Sequence, residues 1–266
     1  SNPTVACVED KIAQLEGGVG ALCTVSGQSA TFVALCNILS AGDHFIACSQ
    51  IYGGTTNLLS VTMKRFGIEV SFVDCMASEE ELSNAFRPNT KAVFGETISN
   101  PSIDLLDIEK FARVAHAHGV PLIVDNTFAT PILCRPIGFG ADIVIHSTTK
   151  YMDGHASVVG GVIVDSGNFD WRASGKFPGL TEPDESYHGL VYCDAFGRAA
   201  YITKARVQLI RDLGTYPPAL AAWVLNMNLE TLALRMERHC RNAERVAEYM
   251  EASPKFESVK YPTLAS

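Results

Sequence analysis

Short apolar runs, rich in β-branched residues, alternate with segments of helical period along most of this chain. That alternation narrows the possible fold more than any other feature. Phe45–Cys48, Val70–Val73, Ala92–Gly95, Leu122–Val124, Ile143–Ile145 and Gly161–Val164 read as buried strands, being short with little in–out alternation. Ala30–Leu39, Ser78–Phe86 and Asp107–His118 read as helices between them. Ser78 followed by Glu81 has capping-box spacing, and Gly119-Val120-Pro121 supplies a stop after the third helix. Strands joined through helices run parallel, so the pattern predicts an α/β chain: a three-layer, mainly parallel sheet with helices on both faces. Such sheets bind ligands beyond the carboxyl ends of their strands. Polar residues just past an apolar run are therefore the first candidates for function.

The texture changes after Asp165. Residues 166–197, rich in Gly, Pro, Asp and aromatics, read as a long ordered excursion. Tyr201–Leu213 and Leu220–Met250 return to helical spacing, the second as two helices or one connecting helix. Lys255–Tyr261 reads as the start of a new strand. The expected division is a large domain over 1–231, then a connecting helix and the beginning of a C-terminal domain over 232–266, too short to complete a core of its own.

Composition excludes several classes of function. Of 266 residues, 47% are hydrophobic and 19% charged, which supplies a large core and rules out a disordered chain. Lys and Arg number 21 against 29 Asp and Glu, a net charge of −8, and no basic run exceeds Lys64-Arg65. Nucleic-acid and anionic-membrane surfaces need clustered basic residues, so neither is expected as a partner. No apolar stretch approaches the roughly 20 residues of a membrane span. The eight cysteines are widely and irregularly spaced with no CxxC pair, so no metal site is expected, and the compartment reads as a reducing cytoplasm.

Chemistry concentrates at two strand ends. His146-Ser147-Thr148-Thr149-Lys150 follows the strand ending at Ile145. A lysine there can form a Schiff base with an aldehyde cofactor while nearby hydroxyls bind a phosphate. Alone, the motif reads more simply as a surface lysine after a polar turn. Asp125 closes the run Leu122-Ile123-Val124 at another strand end, where a carboxylate can pair with a protonated pyridine nitrogen; alone, it would be a turn cap. Together, Asp125 and Lys150 are the two partners that a pyridoxal phosphate site requires. Thr24-Val25-Ser26-Gly27-Gln28-Ser29-Ala30 opens a helix with small residues, so free amides and the helix dipole can meet an anion there. Tyr52-Gly53-Gly54-Thr55 places an aromatic between a strand and a helix, where it can stack on a planar ring.

Taken in order, Asn2-Pro3-Thr4, Ser26-Gly27-Gln28, Tyr52-Gly53-Gly54-Thr55, Ser99-Asn100-Pro101, Asp125-Asn126-Thr127 and Ser147-Thr148-Thr149-Lys150 resemble the motifs of the Cys/Met-metabolism family of pyridoxal-phosphate enzymes. That family comprises cystathionine γ-synthases, cystathionine lyases, methionine γ-lyases and O-acetylhomoserine sulfhydrylases. The resemblance covers essentially the whole chain and implies fold type I, with a large cofactor domain and a smaller C-terminal domain. By position, Lys150 resembles the Schiff-base lysine, Asp125 the pyridine partner and Tyr52 the ring-stacking tyrosine. Asn100 resembles the residue near the cofactor's phenolic oxygen. Gly27 and Gln28 amides with Ser147 and Thr149 hydroxyls resemble the phosphate ligands, and Ser26 and Thr127 complete the implied set. Two family elements are not found: a Tyr-x-Arg segment before Asn-Pro-Thr, and the arginine of the C-terminal domain that holds the substrate carboxylate. The chain is therefore expected to be a piece of a longer enzyme.

Within the family, Gly54 stands where methionine γ-lyases carry Cys. Gly179–Gly189 resembles an insertion typical of O-acetylhomoserine sulfhydrylases, and Asp125–Pro131 and Ala205–Gly214 agree, whereas Thr215-Tyr216-Pro217-Pro218 departs from that subgroup. The expected reaction is γ-replacement on O-acetylhomoserine by sulfide or a thiol, catalysed by Lys150, Tyr52 and Asp125, in a homo-oligomer built as a dimer of dimers. The alternatives are cystathionine γ-synthase or γ-lyase activity, or a catalytically silent chain that binds only cofactor or a partner chain.

Overall fold

The six expected strands all form, and a seventh joins them. They are β1 (Gly20–Thr24), β2 (His44–Cys48), β3 (Glu69–Val73), β4 (Thr90–Glu96), β5 (Leu122–Asp125), β6 (Ile143–His146) and β7 (Gly161–Asp165). The computed structural model describes residues 2–264, leaving the outermost ends of the two expected domains outside the described residues. One sheet holds all seven strands in the order β1-β7-β6-β5-β4-β2-β3. β7 runs antiparallel to both its neighbours, and every other pairing is parallel. Every residue of β2, β6 and β7 is buried, so helices cover both faces, as the uninterrupted apolar runs require. β1 escapes a reading by β-propensity because Gly20-Ala21-Leu22-Cys23 holds no β-branched residue until Thr24.

α1 (Pro3–Glu16) starts where Asn2 Oδ1 accepts the Thr4 amide at 2.9 Å and ends at Gly17, whose φ of 81° breaks the helix. α2 (Gly27–Cys36) begins three residues before the expected Ala30, with Ser26 as its N-cap. α3 (Gly53–Asn57) follows β2. α4 (Glu79–Asn84) has the full capping box: Ser78 N donates to Glu81 Oε2 at 2.8 Å, and Glu81 N donates to Ser78 Oγ at 3.2 Å. α5 (Ile108–Ala117) is capped by Asp107. The long helical stretch resolves into two helices, α6 (Ala219–Leu229) and α7 (Leu232–Glu251). No helix among the described residues is long and apolar enough to cross a membrane.

The excursion over 166–197 is held by aromatics. Phe169, Trp171 and Phe177 meet edge to face, and Trp171 stacks on Tyr201 with ring centroids 5.4 Å apart. One expectation fails. Lys255–Tyr261 forms no strand but a largely irregular stretch, with Lys260 Nζ paired to Asp104 Oδ1 at 2.5 Å. A strand needs a neighbour to take its backbone hydrogen bonds, and this segment pairs with none of the seven strands.

The strand order also locates a crevice. From β2 the chain steps outward to β3, returns to β4 on the other side of β2, then moves away through β5 and β6. Connections that diverge in this way leave a gap beyond the carboxyl ends of the strands.

Candidate active site

A cavity of about 290 Å³ opens in that gap. All ten residues singled out in the sequence line it: Ser26, Gly27, Gln28, Tyr52, Asn100, Asp125, Thr127, Ser147, Thr149 and Lys150. They arrive from the ends of five strands, β1, β2, β4, β5 and β6, which is why residues over 120 positions apart converge.

One end of the cavity is built from α2. The first amides of a helix have no acceptor within it, so Gly27 and Gln28 present free N–H groups at the positive end of the helix dipole. Ser26 caps this turn, its Oγ accepting the Ser29 amide at 3.1 Å. The turn lies directly on the segment after β6. A Cβ at position 27 would stand 2.6 Å from Ser147 Cβ and 2.9 Å from Ser147 Cα. Only glycine lets these amides and the Ser147 hydroxyl share one pocket. Thr149 Oγ1 is partly occupied, since it accepts the Gly160 amide at 3.1 Å and donates to the Gly160 carbonyl at 3.2 Å.

The opposite end is acidic. Asp125 Oδ1 accepts from Thr127 N at 2.9 Å and from Thr127 Oγ1 at 2.5 Å, while Oδ2 accepts nothing among the described residues. Burial pushes the Asp125 carboxyl up, against the pull of both Thr127 hydrogen bonds and the charge of His146. Glu96 is its partner across the β4–β5 ladder. Sequence reading missed Glu96, although Phe94-Gly95-Glu96 repeats the Asp125 signal of an apolar run ending in a carboxylate. Burial, and then the Asp125 charge, raises Glu96 to about 8, so it is mostly protonated at neutral pH.

Glu96 Oε1 also accepts the Tyr52 amide at 2.8 Å, which fixes the start of α3. The Tyr52 ring lies against Gly54, where a Cβ would come within 2.5 Å of Tyr52 Cε1. Lys150 is exposed at the cavity, and its Nζ makes no hydrogen bond or ion pair among the described residues. The turn after it is held from a distance, by residues that no local motif could reveal. Arg235 of α7 donates to the carbonyls of Tyr151 at 2.5 Å and Met152 at 3.3 Å. Asn228 of α6 donates to Asp153 Oδ1 at 2.8 Å.

A mixed seven-stranded sheet with its site at the diverging strand ends places the chain among the open-sheet α/β proteins. The model of the Cys/Met metabolism PLP-dependent enzymes matches residues 1–266, and the chain belongs to that family. It is 48% identical to the O-acetyl-L-homoserine sulfhydrylase of Leptospira meyeri, covering 100% of this chain and 61% of the relative. It is 46% identical to the homocysteine/cysteine synthase of Saccharomyces cerevisiae, covering 100% of this chain and 60% of the relative. Among solved structures, one from Campylobacter jejuni contains N'-pyridoxyl-lysine-5'-monophosphate. It superposes with a TM-score of 0.95 at 38% identity, over 100% of this chain and 66% of that one. An O-acetylhomoserine sulfhydrylase of Wolinella succinogenes gives a TM-score of 0.89 at 35% identity, over 99% of this chain and 72% of that one. The chain thus spans about three fifths of the curated relatives it matches.

The donor set fits pyridoxal phosphate. A glycine-opened helix start suits the phosphate, a half-engaged carboxylate suits the pyridine nitrogen, and an unpaired lysine faces the same cavity.

Proposed function

We propose that this chain is the cofactor-binding part of an enzyme that exchanges the γ-substituent of O-acetyl-L-homoserine for sulfide or a thiol. The products are homocysteine or methionine, and acetate. One observation carries the reading: Asp125 and Lys150 stand past adjacent parallel strands and share a single cavity with a helix N-terminus. Relatives named as O-acetylhomoserine sulfhydrylases and homocysteine synthases support the choice of substrate.

Bound pyridoxal phosphate supplies an electron-accepting ring that stabilises negative charge at the substrate's Cα and Cβ. The protein does the rest. Gly27 and Gln28 amides with Ser147 and Thr149 hydroxyls hold the phosphate, and Ser26 keeps that helix start in place. Asp125, fixed by Thr127, keeps a positive charge at the pyridine nitrogen. Asn100 would hold the ring oxygen, and the Tyr52 ring would stack on the cofactor. Lys150 Nζ takes the substrate's α-proton and moves protons at Cβ, with the Tyr52 hydroxyl assisting at the leaving group. Overall, one C–O bond at Cγ breaks, acetate leaves with the electron pair, and one C–S bond forms in its place.

The same reading takes 1–231 as the cofactor-binding domain and 232–266 as the link into a C-terminal domain. It also includes a homo-oligomer, a dimer of dimers, in a reducing cytoplasm; the eight free thiols suit that compartment. The test is substrate choice by the full-length protein. Homocysteine is expected from O-acetylhomoserine and sulfide, little cystathionine from O-acetylhomoserine and cysteine, and no cleavage of cystathionine. The reverse preference would replace this reading with cystathionine chemistry. Lys150→Ala is expected to lose the cofactor's visible absorbance and to lower turnover by roughly 10⁴-fold or more.

A further inference from the structure

Behind the cavity wall lies a buried polar cluster that the chemistry above leaves unused. Glu16, the last residue of α1, meets His146 Nε2 at 2.6 Å through its Oε1. The same oxygen accepts a hydrogen bond from Asn126 Nδ2 at 3.0 Å. Asn126 Oδ1 in turn accepts from Thr97 Oγ1 at 2.8 Å. All four side chains are buried, with Glu16 and His146 each 1% exposed.

Glu16 lines no part of the cavity, yet both residues it holds are chain neighbours of residues that do. Asn126 follows Asp125, and His146 precedes Ser147. On the cavity side these two are tied again. Ser147 N donates to Thr127 Oγ1 at 2.8 Å, and that hydroxyl donates to Asp125 Oδ1 at 2.5 Å. The links close a ring through Asp125, Thr127, Ser147, His146, Glu16 and Asn126.

The ring stands where the sheet stops helping. The β5–β6 ladder ends at Asp125 opposite Ile145, with one more backbone bond from Asn126 N to the Ile145 carbonyl at 2.9 Å. Past that point the two strands separate into different loops. A rigid ligand gripped at both ends needs its grips held to within about 0.5 Å. A buried carboxylate is costly unless its bonds repay the lost solvation, and Glu16 Oε2 and His146 Nδ1 are buried with no partner among the described residues. Packing alone would be served as well by an apolar side chain.

We propose that Glu16 is a positioning residue: through Asn126 and His146 it locks the ends of β5 and β6, setting the span between the ring-binding Asp125 and the phosphate-binding Ser147. This rests on the cofactor reading given above. The charged and titratable groups facing the cluster are Asp125 and the Cys134 thiol. His146 draws the Asp125 carboxyl down, and burial followed by the Glu16 charge pushes the thiol up.

The experiment compares the full-length holoenzyme with its Glu16→Gln and Glu16→Leu variants. It reads cofactor affinity, the visible absorption maximum and the melting temperature of the cofactor-free protein. Glu16→Gln keeps an Oε1 acceptor for both donors and is expected to stay within about threefold of wild type, with an unshifted band. Glu16→Leu keeps the bulk but not the bonds; about tenfold weaker cofactor binding and a shifted band are expected. A Leu variant matching wild type in affinity and band overturns the proposal. A Gln variant as impaired as the Leu variant overturns it equally. Should Glu16→Leu fail to fold, His146→Leu opens the same ring at its next link and is read in the same way. Wild-type protein that binds no pyridoxal phosphate would instead remove the functional reading itself.

Discussion

The two ends of the cavity are built from different materials. At the α2 end the polar groups are backbone amides and hydroxyls, and among the described residues no cationic side chain other than Lys150 lines the cavity. At the β4–β5 end two carboxyls stand side by side, Glu96 and Asp125, with unequal surroundings. Shape decides the first end, because amides act only if the backbone comes close enough, which Gly27 permits. Charge decides the second, because two neighbouring carboxyls in a confined space resist ionising together. Substitutions should therefore weaken binding at one end and slow chemistry at the other.

Asp125→Asn is the sharpest way to break that contrast. It preserves size and leaves an oxygen for the Thr127 donors, but removes the charge. Turnover is expected to fall roughly 10²–10³-fold, while phosphate-end affinity changes little. Steady-state kinetics with cofactor titration separate the two effects; equal losses in both would deny that the ends are distinct. Gly27→Ala comes next. The added methyl meets Ser147 backbone as well as side chain, so the helix start must move. Overpacking of this kind costs about 1–3 kcal/mol, which is roughly 5- to 150-fold in cofactor affinity. The band of the bound cofactor should stay where it was. Ser147→Ala removes one hydrogen bond to a charged group and leaves the backbone alone. An affinity loss worth about 1.5–3 kcal/mol is expected, with kcat barely altered at saturating cofactor.

The contrast also explains what was legible in the sequence. Residues that follow apolar runs can be found by position alone, and Asp125, Tyr52 and Lys150 all announce themselves in that way, while Ser26 is found as a helix start. The fold was legible for the same reason, since β2 and β4 to β7 are nearly uninterrupted apolar segments. β1 was hidden by its small residues. α1 was passed over although Val5, Val8 and Ile12 repeat at helical spacing between Asn2-Pro3 and Gly17. Glu96 carried the same local signal as Asp125 and was legible but unread. Glu16, Asn228 and Arg235 were not legible. Their partners lie 130, 75 and 84 residues away, and no local spacing encodes such pairings.

Glu96→Gln is the smallest perturbation and tests the inequality of the two carboxyls. The amide oxygen can still accept the Tyr52 amide, so less than tenfold loss of turnover is expected at pH 7, where the native Glu96 is mostly neutral. The effect belongs in the pH dependence of the cofactor-free protein. A carboxyl raised from 4.5 to about 8 on folding holds its proton longer in the folded state than in the unfolded one. Stability therefore declines as pH rises toward 8: the contribution is full below about 4.5 and is lost on passing the folded value. Asp165, buried and raised to about 7, acts with the same sign over a lower window. Wild-type melting temperature should fall from pH 5 to pH 9 through both groups. In Glu96→Gln only the lower part of that fall should remain, with the decline between pH 7 and 9 flattened. If the two curves coincide above pH 7, Glu96 is not held neutral beside Asp125. The acidic end of the cavity would then carry two equal charges, and its difference from the amide end would be one of sign alone.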